Sequence, residues 1–218
     1  MFCSHLAARP RTNADCADFA RPANGHTERI LMNMRSDLPA VARDIDVPER
    51  TLRRAVQRGT VRCSRPGLRQ LELTADERSY LRENWKTIST VTEALRTERN
   101  VRLAVIFGSA ARGRMGEGSD VDVLVALIEQ RPMYLSYLAA RLTRALGRNV
   151  DVLSLAQVRA HDPALLGAIL RDGRPVVDRD GSWPALIARR PGIERAATRA
   201  RAERHRRAAQ AVAQLTGA

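Results

Sequence analysis

Apolar residues first fall into a regular spacing at Leu38, Val41, Ala42 and Ile45; the repeat breaks at Asp46-Val47-Pro48 and restarts at Leu52, Ala55 and Val56. This predicts two short helices joined by a tight turn. Pro48 suits the first turn of the second helix, where its missing N–H has no intrahelical partner, and Gly59 is placed to end that helix in a left-handed cap. Val61 to Leu73 reads as two short strands turning at Pro66-Gly67, and Thr74 with Glu77 three positions on is a capping-box pattern opening a helix that runs to Arg99. Three apolar, β-branched runs follow as strands: Val101 to Phe107, Val121 to Leu127, and Val150 to Leu155. Between the last two, Leu135, Leu138, Leu142 and Leu146 form one stripe of a helix from Pro132 to Leu146, the pattern for packing across a sheet. Residues 1–35 show neither period and are expected to be a disordered arm. From Trp183 onward arginines are set among alanines and interrupted by Pro191-Gly192, which predicts a mostly solvated helical tail over 181–218.

The expected architecture is therefore α/β (α+β): a small mixed-sheet domain over 100–180, preceded by a helical module over 36–99. The 218 residues suffice for one ordinary domain or two small ones and exclude a large multidomain machine. No stretch approaches the roughly 20 consecutive apolar residues of a membrane span, and the first residues lack the apolar run of a secretory signal, so a soluble, cytoplasmic protein with no membrane partner is expected. Cys3, Cys16 and Cys63 make an odd count without paired spacing, and Cys3, His5, Cys16 and His26 fit no tetrahedral metal pattern. The formal charge of +13 favours polyanionic partners. Lys86 is the only lysine among 37 basic residues, leaving 36 arginines, so total charge says less than where it clusters.

The two short helices resemble the helix-turn-helix of bacterial DNA-binding proteins, whose second helix lies in the major groove. The resemblance puts Glu49, Arg50, Arg53 and Arg54 on DNA, with Arg62, Arg65 and Arg69 in a basic wing.

The chemistry gathers around residue 108. The strand Val101 to Phe107 runs directly into Gly108-Ser109-Ala110-Ala111-Arg112-Gly113, a corner where a residue without Cβ, a helix start and a hydroxyl can hold a phosphate. Asp120 and Asp122 then alternate with apolar residues, and a period of two places both on one strand face. Two anions about 7 Å apart along a strand repel, and a hard divalent cation is the natural compensation. Strand, helix, strand brings a third acid, Asp151, toward the pair. Three carboxylates beside a phosphate corner describe a two-metal phosphoryl or nucleotidyl transfer site.

The segment from Phe107 to Val125, FGSAARGRMGEGSDVDVLV, resembles the signature of the DNA polymerase β-like nucleotidyltransferase superfamily, and the Ala-Arg-Gly after Gly-Ser resembles its minimal nucleotidyltransferase branch. The run Ile169 to Val177 is similar to that fold's closing helix, glycine turn and strand. The resemblance implies that Gly108 and Ser109 hold a triphosphate, that Asp120 and Asp122 bind Mg²⁺, and that Asp151 completes a two-ion site and helps deprotonate the acceptor hydroxyl. Arg112 and Ser119 are further candidates for nucleotide contact. ATP is the implied substrate and NMP transfer to a macromolecular hydroxyl the implied reaction. The implied role is the antitoxin of a toxin–antitoxin pair, modifying a HEPN-type RNase toxin and regulating its own operon; tRNA or a small hydroxylated compound is the other implied acceptor. The competing expectation is a non-enzymatic DNA-binding regulator using such a fold to sense nucleotide or hold a partner.

Overall fold

The computed structural model describes residues 38–67, 70–116 and 118–216. The arm over 1–35, with Cys3, His5, Cys16 and His26, and Arg69 of the expected wing lie outside the described residues. Two helices, α1 (Leu38–Asp44) and α2 (Glu49–Arg58), are followed by a hairpin, β1 (Ser64–Gly67) and β2 (Gln70–Glu72), and by the long helix α3 (Ala75–Arg96). Gly59 caps α2 at φ 85°, and Pro48 stands one position before that helix. Leu38, Val41, Ala42, Leu52, Ala55 and Val56 are the residues these helices bury. Pro66 and Gly67 belong to β1, with Ser64 opposite Glu72, so the hairpin turns later than the Pro-Gly pair suggests. Thr74 accepts from Glu77 N at the start of α3, as a capping residue should.

Four strands then build a mixed sheet: β3 (Val101–Phe107), β4 (Val121–Leu127), β5 (Val150–Ser154) and β6 (Arg174–Asp178), in the order β5-β4-β3-β6. β4 pairs antiparallel to β3 and parallel to β5, which requires the crossover helix α5 (Tyr134–Leu146); the single turn α4 (Gly108–Ala111) follows β3. Two short helices, α6 (Leu155–His161) and α7 (Pro163–Asp172), lead to β6, and α8 (Ser182–Thr216) closes the chain. His161 ends α6, and Asp162 caps α7 by accepting from Leu165 N at 2.9 Å.

The sheet is apolar on both faces. One side buries Ala104, Ile106, Val121, Val123 and Val125 against Leu81, Ile88, Val91, Leu138 and Leu142, and the same cluster continues without a break into Leu52 and Val56 of α2. The other side buries Leu103, Val105, Phe107 and Leu124 against Val158, Leu166, Ile169 and Trp183. Residues 35–218 accordingly form one compact unit. Among the described residues no helix is long and apolar enough to cross a membrane. The expected tail helix forms, but it runs through Pro191 rather than stopping there.

Candidate active site

Asp122 sits in β4 at the same strand parity as Leu124, so its side chain belongs to the sheet face covered by α6 and α7. Parallel pairing puts Asp122 directly opposite Asp151 of β5, and Asp120 precedes β4 by one residue. Matched positions on neighbouring strands share a face, so the three acids lie on one side of the sheet, Asp122 half-buried and Asp120 and Asp151 exposed. Their charges meet at Asp122: burial raises its carboxyl above the ordinary 3.8, Asp151 and then Asp120 raise it further, and Arg112 opposes the shift.

The Gly-Ser corner interlocks with this acid. Phe107 pairs with Asp122, and the chain then turns at Gly108 with φ 68°. A Cβ at Gly108 would run into Asp122 Oδ2 and lie 3.1 Å from its Cγ. The glycine is therefore required twice, for its left-handed backbone and for the space the carboxyl fills. Behind it, Arg112 N and Arg114 N donate to Ser109 O at 3.2 and 3.0 Å, closing the turn.

Arg112 is partly exposed and stands 3.9 Å from Asp172 Oδ2 at the end of α7, at the margin of the acids. The Ser119 hydroxyl accepts from Gly116 N at 2.9 Å, which ties the loop leading into Asp120. Arg50, Arg53 and Arg54 are exposed on α2, with Arg53 paired to Glu49 at 2.5 Å.

Among the described residues no three His, Cys, Asp or Glu side chains are gathered closely enough to enclose a metal ion. The donor set nevertheless fits a hard divalent cation in chemistry: three carboxylates on one face, the pKa of Asp122 raised by burial and then by the charges of Asp151 and Asp120.

The residues that hold the corner in place carry no motif. Arg174 and Glu77 form an ion pair in which both are nearly enclosed, 3% and 5% exposed, through Nη1 to Oε1 at 2.6 Å and Nη2 to Oε2 at 2.9 Å. Arg174 also donates to Ala111 O at 2.8 Å and Thr60 O at 3.0 Å, and its guanidinium lies 3.5 Å from the centre of the Tyr80 ring. Glu77 additionally accepts from Arg62 N at 2.9 Å. The last residue of α4 is thus tied to α3 and to the end of α2 through one guanidinium. The sequence signal was an arginine heading the short strand RPVVD, just before its apolar Pro-Val-Val run.

A family model described as polymerase beta, nucleotidyltransferase, matches residues 89–182. A Methanocaldococcus jannaschii protein named for an inferred protein adenylyltransferase activity is 32% identical over 97 residues, 40% of this chain and 95% of that protein. Among solved structures, a toxin–antitoxin pair with AMP-PNP matches at 20% identity and a TM-score of 0.45, over 60% of this chain and 98% of that one. A tri-AMPylated Shewanella oneidensis HEPN toxin in complex with MNT antitoxin matches at 19% identity and 0.43, over 62% and 99%. The family model spans the sheet, the Gly-Ser corner and the Asp-x-Asp strand. With that relative covered almost end to end, this chain belongs to the polymerase beta nucleotidyltransferase family and is a nucleotidyltransferase.

Proposed function

We propose that the chain transfers AMP from ATP to a hydroxyl of a partner protein. The observation that carries this reading is the row Asp122–Asp151 with Asp120 beside it, closed against Gly108 at a turn too tight for any side chain. Gly108 and Ser109 would seat the triphosphate, with Arg112 at its edge. Asp120, Asp122 and Asp151 would hold two Mg²⁺ ions, which supply charge neutralisation on the phosphates when bound. The acceptor oxygen attacks the α-phosphorus, the bond to the bridging oxygen breaks, and pyrophosphate leaves; Asp151, the most open of the strand-borne acids, takes the acceptor proton. Ser119, bonded to the loop, positions Asp120 rather than touching nucleotide.

The protein acceptor follows from the name of the archaeal relative, and a HEPN-type RNase toxin is the partner we assign, with tRNA the other acceptor class. The segment over 36–99 would act as a winged helix-turn-helix that regulates the operon, because Arg50, Arg53 and Arg54 are exposed on the outer side of α2 while its inner side is buried. The mixed-sheet segment over 100–180 would carry the transfer and 181–218 would be a tail.

The test is incubation of the protein with Mg²⁺, labelled ATP and a purified HEPN toxin or lysate, beside Asp120→Ala and Asp122→Ala. Label appearing on a protein band and lost in both variants supports the reading. Metal-independent operator binding without any transfer would establish the regulator instead.

A further inference from the structure

On the opposite side of the sheet from the acids, α3, the end of α5 and the loop after the corner enclose a cavity of about 460 Å³. Its lining includes Lys86, Arg148, Thr87, Thr90 and Asn84, with Met115 and Leu146 as apolar members. Asn84 is 3% exposed and donates Nδ2 to Tyr80 O at 2.9 Å, so this polar group is built into the fold rather than strewn on its surface.

Two cations line this cavity, Lys86 and Arg148. Several arginines of the body are matched with acids, Arg82 with Asp44, Arg96 with Glu93, Arg131 with Glu129 and Arg171 with Glu194, while others such as Arg50 and Arg54 are exposed to solvent. Lys86 and Arg148 form no ion pair among the described residues, and Arg148 Nη1 donates to Met115 Sδ at 3.5 Å. Glu83 also lines the cavity, and its carboxylate accepts from Ser79 Oγ at 3.3 Å. Lys86 also borders a neighbouring cavity, but there the carboxylate of Asp44 is occupied by Arg82. A chain that uses arginine at 36 of its 37 basic positions places its one lysine here. A compact ammonium with three rotatable donors can meet a phosphate without the fixed fork that a guanidinium presents.

We propose that this cavity binds a small phosphomonoester, its phosphate between Lys86 and Arg148 with the threonine hydroxyls donating, and its apolar part on Met115 and Leu146. The volume falls in the range of small-ligand sites, about 300–1,000 Å³. The site is separate from the transfer centre: it uses α3 and α5, whereas the acids face α6 and α7.

The single lysine makes the test direct. Pyridoxal 5′-phosphate is an aldehyde bearing a phosphomonoester; it condenses with an amine with loss of water, and borohydride reduces the imine to a stable secondary amine. Peptide mapping then distinguishes Lys86 from the N-terminal amine. The expected result is labelling of Lys86 at least tenfold more efficient than with pyridoxal, suppressed by inorganic phosphate, and reduced at least fivefold in a folded Arg148→Met variant. Labelling in Asp122→Asn should match the wild type. Equal labelling by pyridoxal, no protection by phosphate, or an Arg148→Met variant that labels normally would overturn the site. Loss of labelling in Asp122→Asn would overturn its independence from the transfer centre.

Discussion

Replacing Arg174 by methionine removes the guanidinium and keeps most of the volume. Glu77, 5% exposed, is then left as a buried carboxylate whose remaining donor is Arg62 N. Breaking one partner of such a pair costs about 3–5 kcal/mol, because an uncompensated charge stays out of water. Ala111 O and Thr60 O lose their guanidinium donor as well, each worth about 1–3 kcal/mol when nothing replaces it. These costs overlap, so about 4 kcal/mol is a fair central value, a large share of the 5–15 kcal/mol that holds a typical domain together. With a urea slope near 2 kcal/mol per molar, the midpoint should fall by roughly 2 M. Trp85 and Trp183, on opposite sides of the sheet, report the transition by fluorescence. The double variant Glu77→Leu with Arg174→Met removes both charges together and should recover at least half of the loss. A single-variant cost below about 1 kcal/mol, or a double variant no more stable than Arg174→Met, would refute the claim that this pair anchors the corner.

Three further outcomes follow from the same geometry. Gly108→Ala adds a Cβ against Asp122 Oδ2 at a φ of 68°; misplacing the acid by even 1 Å should cut nucleotide transfer on the order of 100-fold, measured as kcat/KM, and near-normal transfer would show that corner and acid are not interlocked. Asp122 has a folded pKa raised above its unfolded one, so its ionised form weakens the fold above that pKa and the penalty fades as pH falls toward 3.8. Asp122→Asn should therefore raise the Tm at pH 7 in EDTA, with a gain that shrinks toward pH 4; an unchanged or lower Tm at neutral pH would contradict the repulsion. Burial pushes the hydroxyls of Tyr80, opposed by Arg174, and Tyr134, which also bonds Glu98, up to about 12. Absorbance at 295 nm should show at most one of the three tyrosines ionised at pH 10.5.

The sheet was readable because its strands are short and strongly patterned: Val101 to Phe107 and Val121 to Leu127 form the strands their apolar runs predict. A period of two put Asp120 and Asp122 on one face, but the row shared by Asp122 and Asp151 depends on parallel register, which comes from packing α5 across the sheet rather than from any local residue. Glu77 looked like the second half of a capping box, yet its carboxylate turns inward to Arg174 instead of back to Thr74, because the buried guanidinium is the stronger partner. Arg174 itself was hidden among 36 arginines. Pro191 suggested a stop, a ring in a helix interior costing about 3 kcal/mol; on one side Trp183 and Leu186 are buried, and on the other Glu194 pairs with Arg171, so packing outweighs the lost bond.

The shared core has a consequence for anyone dissecting the gene. A cut at residue 99 would strip Leu81, Ile88 and Val91 from the sheet and leave Arg174 without Glu77, so the sheet-bearing piece alone should be insoluble. The complementary piece, 36–99, would bare the same apolar helix to water. Swapping the amino-terminal helices onto a foreign transferase, or the reverse, therefore demands that α3 and its glutamate travel with the sheet.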